Sequence, residues 1–371
     1  AIHNTAWCYE TGSGVKKNMK EAFNWYSKAA AVGHAKAQSA LGWFYKDGRY
    51  TKRDYAKSAY WYEKAAKQGY LSSMYDIGTC YEYGTGVTKN HTTAFSWYSK
   101  AAAKGNLKAQ SKLGYFYKKG LGTTKNLTSS VYWYEKAAKQ GDTAAMYEVG
   151  LANYNGVGAI KNRTKAAEWF RKAANKGDAK SQYYLGISYV HGYGVTKNIN
   201  TAAQWLLKSA QRGYSEAQFH IGYYYDVGRG VKKDRLEASR WYEKASRQGH
   251  KIAQYNLGIA YAKGYGVAKN PTKAAEYYKK SAAQNYDKAQ NNLAHAYERG
   301  AGVPKDLAKA WQLYNKAAAQ NYTKAQANIG YFYVHALHVK RNIYLARLWY
   351  EKAAKKGDGF AKKRLAGLKG K

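Results

Sequence analysis

Asn256, Asn292 and Asn328 recur at intervals of 36 residues, and an amide side chain can donate to a peptide carbonyl while accepting from a peptide N–H. A ladder of such amides is suited to gripping an extended polypeptide whatever its sequence. The same register holds Tyr184 and His220 in earlier repeats, and the register three positions further along holds Trp7, Trp43, Tyr115, Tyr223, His295 and Tyr331. Aromatic rings there offer broad, fairly rigid contact surfaces, the tyrosines with a polar tip. The alternative is tolerated exposed asparagines and aromatics that only fill gaps between hairpins. A second ladder is basic: Lys17, Arg53, Lys89, Lys125, Lys161, Lys197, Lys233, Lys269, Lys305 and Arg341 share one register in ten repeats of ten. Regular stacking would space these charges about 10 Å apart along one edge, where they can track a polyanion and make binding fall steeply with salt. Each precedes a helix N-cap, where a cation gains nothing from the helix dipole, so another cause has to place it there.

Other chemistries find few residues. The nine histidines are scattered over several registers, and no combination with cysteine or carboxylate resembles a nucleophile–base pair or a closed metal site. His335 and His338 are three apart but sit in a degraded turn. No catalytic residue, metal site or cofactor is expected. Cys8 and Cys80 are equivalent positions two repeats apart, roughly 20 Å at the usual helix spacing. A disulfide needs alpha carbons within ~7 Å, so two free thiols are expected. Asn90, Asn126, Asn162 and Asn321 begin N-x-Thr sequons, and the first three double as helix caps.

The elements that position these side chains follow from the repeat. Gly48 to Gly84 reads GRYTKRDYAKSAYWYEKAAKQGYLSSMYDIGTCYEYG and begins again, with substitutions, every 36 residues. Ala37, Leu41 and Tyr45, with Gly42 beside Leu41, form one apolar stripe at a spacing of four, which predicts a helix of about three turns, helix A. That stripe turns positions 40, 43, 44 and 47 to the opposite side. Gly48, and in most repeats a second glycine two residues later (Gly84 with Gly86, Gly120 with Gly122), permits the left-handed turn that reverses the chain. In the second repeat Tyr50 replaces the later glycine. In the last, Ala336 and His338 replace both, and that turn is expected to be built differently.

An N-cap residue, from Asn18 and Asp54 to Asn342, then opens helix B. Its small residues, its Trp-Tyr pair and its double alanine, as in Ser58, Trp61-Tyr62 and Ala65-Ala66, form the face that packs on helix A. Helix B ends at glycine from Gly33 to Gly357, with Asn285 and Asn321 serving in two repeats. The lysines of the Lys-Ala-Ala element, Lys28 and Lys64 through Lys352, complement the dipole at that end. Ten antiparallel hairpins therefore form one array over residues 1–360. A capping helix and tail follow over 361–371, where Lys362, Lys363 and Arg364 make the end polar. The fold class is all-α.

The pattern Ala-x3-Leu-Gly-x2-Tyr-x2-Gly-x-Gly-Val-x2-Asn/Asp-x3-Ala-x2-Trp-Tyr-x-Lys-Ala-Ala-x2-Gly resembles the Sel-one-like repeat (SLR) family, a branch of the tetratricopeptide-like superfamily, over essentially the whole chain. The resemblance implies a right-handed α/α solenoid whose concave surface is lined by helix A. It also implies a non-enzymatic scaffold or adaptor, of a kind common in bacteria and often exported or host-facing. Some cysteine-rich members staple each hairpin with a disulfide, and this chain lacks those cysteines. It opens on Ala1 and not on Met, which fits a signal peptide removed before residue 1. A bacterial periplasmic or secreted location is the first expectation, a cytoplasmic one the alternative.

Sixty-two Lys and Arg against 23 Asp and Glu leave a net charge of +39, which steers anionic partners from a distance. A genome rich in A and T, raising Lys, Asn and Tyr together, is the bland alternative. No apolar run approaches the ~18 residues a membrane span needs. The expected function is protein–protein interaction, with an extended or acidic polypeptide on the concave face and the chain itself a monomer. The alternative is a polyanion, meaning an acidic glycan or lipopolysaccharide, an anionic membrane surface or nucleic acid.

Overall fold

Helices make up all 21 elements of the computed structural model, which describes residues 1–368. They run in pairs from Ile2–Thr11 and Met19–Ala31, through Ala35–Asp47 and Tyr55–Lys67, to Thr323–His335 and Ile343–Lys355, with Gly359–Ala366 last. The chain is an all-α helical solenoid of ten hairpins. The closing helix starts two residues ahead of the expected boundary, because the Asp358 carboxylate caps it by accepting from the Ala361 N–H at 2.8 Å. The end of the expected tail, 369–371, lies outside the described residues. Two compact units divide the chain: Ala1–Ser181 with Tyr193–Val195, and Gln182–Gly192 with the chain from Thr196 onward.

Local chemistry sets the helix ends. Asn18 accepts from the Lys20 and Glu21 N–H groups and Asp306 from that of Lys309, which satisfies donors that the first helical turn leaves open. The cap residue's own N–H donates back to helix A, Asp54 to the Tyr45 carbonyl and Asn126 to that of Tyr117, both at 3.0 Å. One residue thus ties the end of helix A to the start of helix B. Past helix A the glycine is left-handed, as at Gly84 with φ 74°.

The last turn departs from expectation. Ala336 (φ 54°) and His338 (φ 62°) adopt the same left-handed conformation as the glycines they replace. Ala336 N–H still donates to the Phe332 carbonyl and Asn342 N–H to that of Tyr333, so closing the hairpin outweighs the ~1–2 kcal/mol that left-handed backbone costs an L-residue. Exchanging both for glycine is expected to stabilise this hairpin by about 1–2 kcal/mol, after allowance for the greater freedom of glycine in the unfolded chain. An unchanged or lower urea midpoint for the double variant would refute this.

Packing buries helix A on two sides. Within a hairpin, the tyrosine of the Trp-Tyr pair lies flat on a helix-A glycine: a Cβ on Gly78 would come within 2.7 Å of the Tyr98 ring. Against the other side lies helix B of the preceding hairpin. Phe116 packs edge-on to Tyr98 at 5.2 Å, and Phe44 to Phe23 at 5.6 Å. The register of position 44 is therefore core, buried at Phe44, Cys80, Phe116, Tyr224 and Phe332, and not on the far side of the helix as the single stripe suggested. A stripe accounts for one neighbour, and stacking supplies a second. A row of buried glutamines crosses the same junctions. Gln110 donates to the Ala102 carbonyl at 3.2 Å and accepts from Gln140 at 2.7 Å, and Gln218 repeats this with Ala210 and Gln248. Both ends of these two buried amides are satisfied, as burial demands.

Candidate functional site

The two helix-A registers that carry the sequence-derived candidates differ in exposure. That of position 43 reaches solvent: Trp43, Tyr115 and Tyr223 are 37%, 39% and 41% exposed, and His295 is exposed. Tyr331 is half-buried, with His335 against its ring at 4.2 Å. The register of position 40 is a seam between hairpins, where Tyr184, His220, Asn256, Asn292 and Asn328 are all half-buried. His220 Nε2 meets the Tyr183 hydroxyl at 3.2 Å, and burial pushes its imidazole down from the usual range. Asn328 Nδ2 donates to Asn291 Oδ1 at 3.1 Å, and Asn291 Nδ2 in turn to Asn292 Oδ1 at 3.4 Å. Two of the three ladder asparagines are thus joined through a residue outside the ladder. Asn256 lines a cavity of about 50 Å³ with Tyr242 and Asp226.

In the first unit the seam carries charge. Lys112 Nζ lies 2.8 Å from Glu82 and Glu148 lies 2.6 Å from Lys118, each pair bridging one hairpin to the next. Above these pairs opens a trough of about 650 Å³ along the helix-A face, walled by Tyr75, Tyr83, Tyr115 and Tyr147. Its carboxylates are already engaged. Buried Glu82 accepts from the Tyr98 hydroxyl at 2.6 Å as well as from Lys112, while Asp142 and Asp178 cap helices by accepting from the Ala145 and Ser181 N–H groups. Lys108 and Lys180 line the trough and are exposed, with no ion-pair partner among the described residues. Each ammonium lies over a tyrosine ring, Tyr75 at 5.9 Å and Tyr147 at 5.6 Å.

Asp76 holds the seam register one hairpin earlier, and burial raises its carboxyl to about 6 against the pull of Lys46 and Lys108. A carboxyl raised on folding stabilises the protein below its ordinary range, and that contribution is lost as pH climbs through the folded value. Between pH 4 and 6 the wild type is therefore expected to lose about 2–3 kcal/mol relative to Asp76→Asn, on the scale of ~1.4 kcal/mol per pKa unit. Parallel stability–pH profiles for the two proteins would refute this.

The basic ladder is exposed at all ten positions, and the fold supplies the cause that helix B did not. Arg53 Nη2 donates to the Asp47 carbonyl at 3.1 Å, and a Cβ on Gly84, Gly120 or Gly228 would lie 3.2, 3.3 or 3.1 Å from the Cβ of Lys89, Lys125 or Lys233. The cation stands where helix A ends, at the negative pole of that helix, a placement worth about 0.3–1 kcal/mol. Most of the Lys-Ala-Ala lysines lie over the aromatic ring three residues earlier, such as Lys28 over Trp25 at 4.4 Å and Lys244 over Trp241 at 4.1 Å. Charge is partitioned accordingly. The ten helices A carry 12 Lys/Arg against nine Asp/Glu, the ten helices B 25 against eight, and the turns between them 20 against six. The helix-A face is nearly balanced, and the excess lies elsewhere.

Cys8 and Cys80 are free thiols, and no group of three or more His, Cys, Asp or Glu among the described residues is placed to hold a metal ion. No helix there is long and apolar enough to cross a membrane. The trough, its ion pairs and the glutamine row were not among the sequence-derived candidates. Glutamine in seven of ten repeats at the register of Gln38 was a legible signal for the row. The ion pairs change sign from one junction to the next, so they show no column pattern.

Family and structural likenesses agree with this architecture. The Sel1 repeat matches ten consecutive segments, from residues 1–34 and 35–70 to 323–358. The chain is similar to c5321, a protective antigen of uropathogenic Escherichia coli displaying an SLR fold. Identity is 30%, the match covers 99% of this chain and 87% of that one, and the TM-score is 0.74. A Sel1 repeat protein from Oxalobacter formigenes is also 30% identical, over 86% of this chain and 91% of that one, with a TM-score of 0.66. No curated protein matches. Ten tandem matches over hairpins of this construction place the chain in the Sel1-repeat family, whose members are typically non-enzymatic scaffolds for protein–protein interaction.

Proposed function

We propose that the chain is a non-enzymatic scaffold that holds an extended polypeptide along its helix-A faces, in the first unit within the tyrosine-walled trough. The observation that carries this is the trough itself, about 650 Å³ of open volume with its carboxylates engaged and two lysines unpaired. Exposed tyrosines give contact area at small cost in side-chain entropy, and Lys108 and Lys180 favour a partner bearing carboxylates. Trp43 extends the aromatic wall toward the first hairpins. In the second unit the matching surface is Tyr223 and Tyr331, with Tyr184, His220, Asn256, Asn292 and Asn328 at the seams.

Peptides selected from a random display library on the immobilised chain provide the test. Their affinity is expected to fall at least about tenfold in a Tyr83→Ala/Tyr115→Ala variant, the loss typical of buried aromatic anchors. Equal affinity for variant and wild type would defeat the trough. Changing Asn256, Asn292 and Asn328 to Ala asks the same of the second unit.

The partition of charge supports a second possibility, an anionic glycan, lipopolysaccharide, membrane surface or nucleic acid held by helices B and the turns. Heparin binding would then fall steeply with salt and be lost when Lys197, Lys233 and Lys269 are reversed to Glu, while trough peptides keep their affinity.

A further inference from the structure

Between helix B of one hairpin and helix A of the next runs a slot that the protein commonly fills itself. Phe44 lies there against Tyr26 at 6.1 Å, Phe116 against Tyr98 at 5.2 Å and Phe332 against Tyr314 at 5.5 Å, all fully buried. Between the fourth and fifth hairpins the same register holds Ala152, and the slot stands open as a cavity of about 130 Å³ lined by Leu127, Val131, Tyr134, Leu151, Ala152 and Val157. The correspondence is residue for residue. Tyr134 is the counterpart of Tyr98 and Leu127 that of His91, the two rings of the preceding helix B that Phe116 meets. An apolar cavity of about 150 Å³ is enough to take up benzene, so this one has room for a single ring or branched aliphatic group.

The slot belongs to the trough. Tyr134 and Glu148 line both, and Val157 on the slot's rim is 50% exposed. A chain lying in the trough runs beside it, over Tyr134 and Glu148. On either side, one hairpin away, stand the unpaired ammonium groups of Lys108 and Lys180. One equivalent slot in the second unit, at Ala260, is narrowed to about 50 Å³, with Arg235 and Tyr265 among its lining, which leaves space for water but not for a side chain.

We infer that the Ala152 slot is the anchor site of the trough, taking one Phe- or Leu-type side chain of an extended polypeptide whose flanking residues carry carboxylates for Lys108 and Lys180. The partner supplies the ring that this repeat lacks. The assignment rests on the trough as the binding surface and adds a sequence requirement that the trough alone does not impose.

The test uses the full-length chain with toluene as a probe, followed by the library peptides. Toluene is expected to bind the wild type, read as a rise in melting temperature or as shifts of the Val157 and Leu151 methyl resonances, and to lose this in Ala152→Phe and Ala152→Leu. Selected peptides are expected to carry an apolar residue between acidic ones and to weaken at least about tenfold in the same variants. Should Ala152→Phe not fold, Ala152→Leu and the wild-type toluene measurement decide. Toluene that fails to bind the wild type overturns the slot. Peptides that weaken in Tyr83→Ala/Tyr115→Ala but not in the Ala152 variants overturn the slot and keep the trough. Peptides indifferent to both sets of changes overturn the trough.

Discussion

Gly122→Ala is expected to destabilise the chain by about 2–5 kcal/mol, as the sum of a left-handed backbone cost of ~1–2 and a forced displacement of ~1–3. Gly122 has φ +61°, and a Cβ there would stand 2.2 Å from the His91 carbonyl oxygen and 2.6 Å from the Thr92 nitrogen. Those are backbone atoms at the start of the preceding helix B, so no side chain can swing aside. The same close approach recurs at Gly86 and Gly266, where a Cβ would stand 1.9 Å from the Tyr55 carbonyl oxygen and 2.0 Å from that of Arg235. The second glycine of the turn therefore sets how tightly one hairpin seats on the last. Gly14 is the internal control. Its φ is +73° but nothing lies within 4 Å of its Cβ direction, so Gly14→Ala is expected to lose only the backbone part, ~1–2 kcal/mol. Urea denaturation of both variants separates strain from collision. Equal losses at the two sites would show that the turn, and not the junction, requires glycine.

Glu82→Ala is expected to destabilise by about 3–5 kcal/mol, the range found when one member of a buried charged pair is removed. The carboxylate is only 7% exposed and serves two partners at once, the Tyr98 hydroxyl and Lys112 Nζ. Its loss takes the charged partner from both in the junction between the third and fourth hairpins, leaving the Lys112 ammonium only the Tyr83 hydroxyl and the Tyr98 phenol only that of Thr79. Tyr98→Phe, which leaves the ion pair intact, is expected to cost only about 1 kcal/mol. The double variant Glu82→Leu/Lys112→Met should return close to wild type, because exchanging a whole buried pair for apolar groups of similar size is often neutral. A double variant as unstable as Glu82→Ala would mean that the pair stabilises by more than avoiding a stranded charge. Since Glu82 and Lys112 also line the trough, the double variant asks whether a partner reads their charge.

The hairpin frame was legible in the sequence because it is local. An asparagine at a cap and a left-handed glycine at a helix end act over a few residues, and every cap from Asn18 to Asn342 stands where its residue type placed it. The left-handed glycines ending helix B, and Asn285 and Asn321 in their stead, were equally plain. What failed depended on the next hairpin. Position 44 looked like an outer residue because one apolar stripe implies one neighbour, whereas helix A in a stack has two. The basic ladder looked misplaced because its residues precede helix B in the chain, although in space they finish helix A. Ala336 and His338 looked like a broken turn, yet the bonds closing the hairpin hold them in the glycine conformation. Sequence alone thus determined the period, the helices and the free thiols, since short-range hydrogen bonding and side-chain type decide them. Only the tertiary structure decided which registers become seam, trough or open slot, because those arise where two copies of the repeat meet and their residues are about 30 positions apart, beyond the reach of any local pattern.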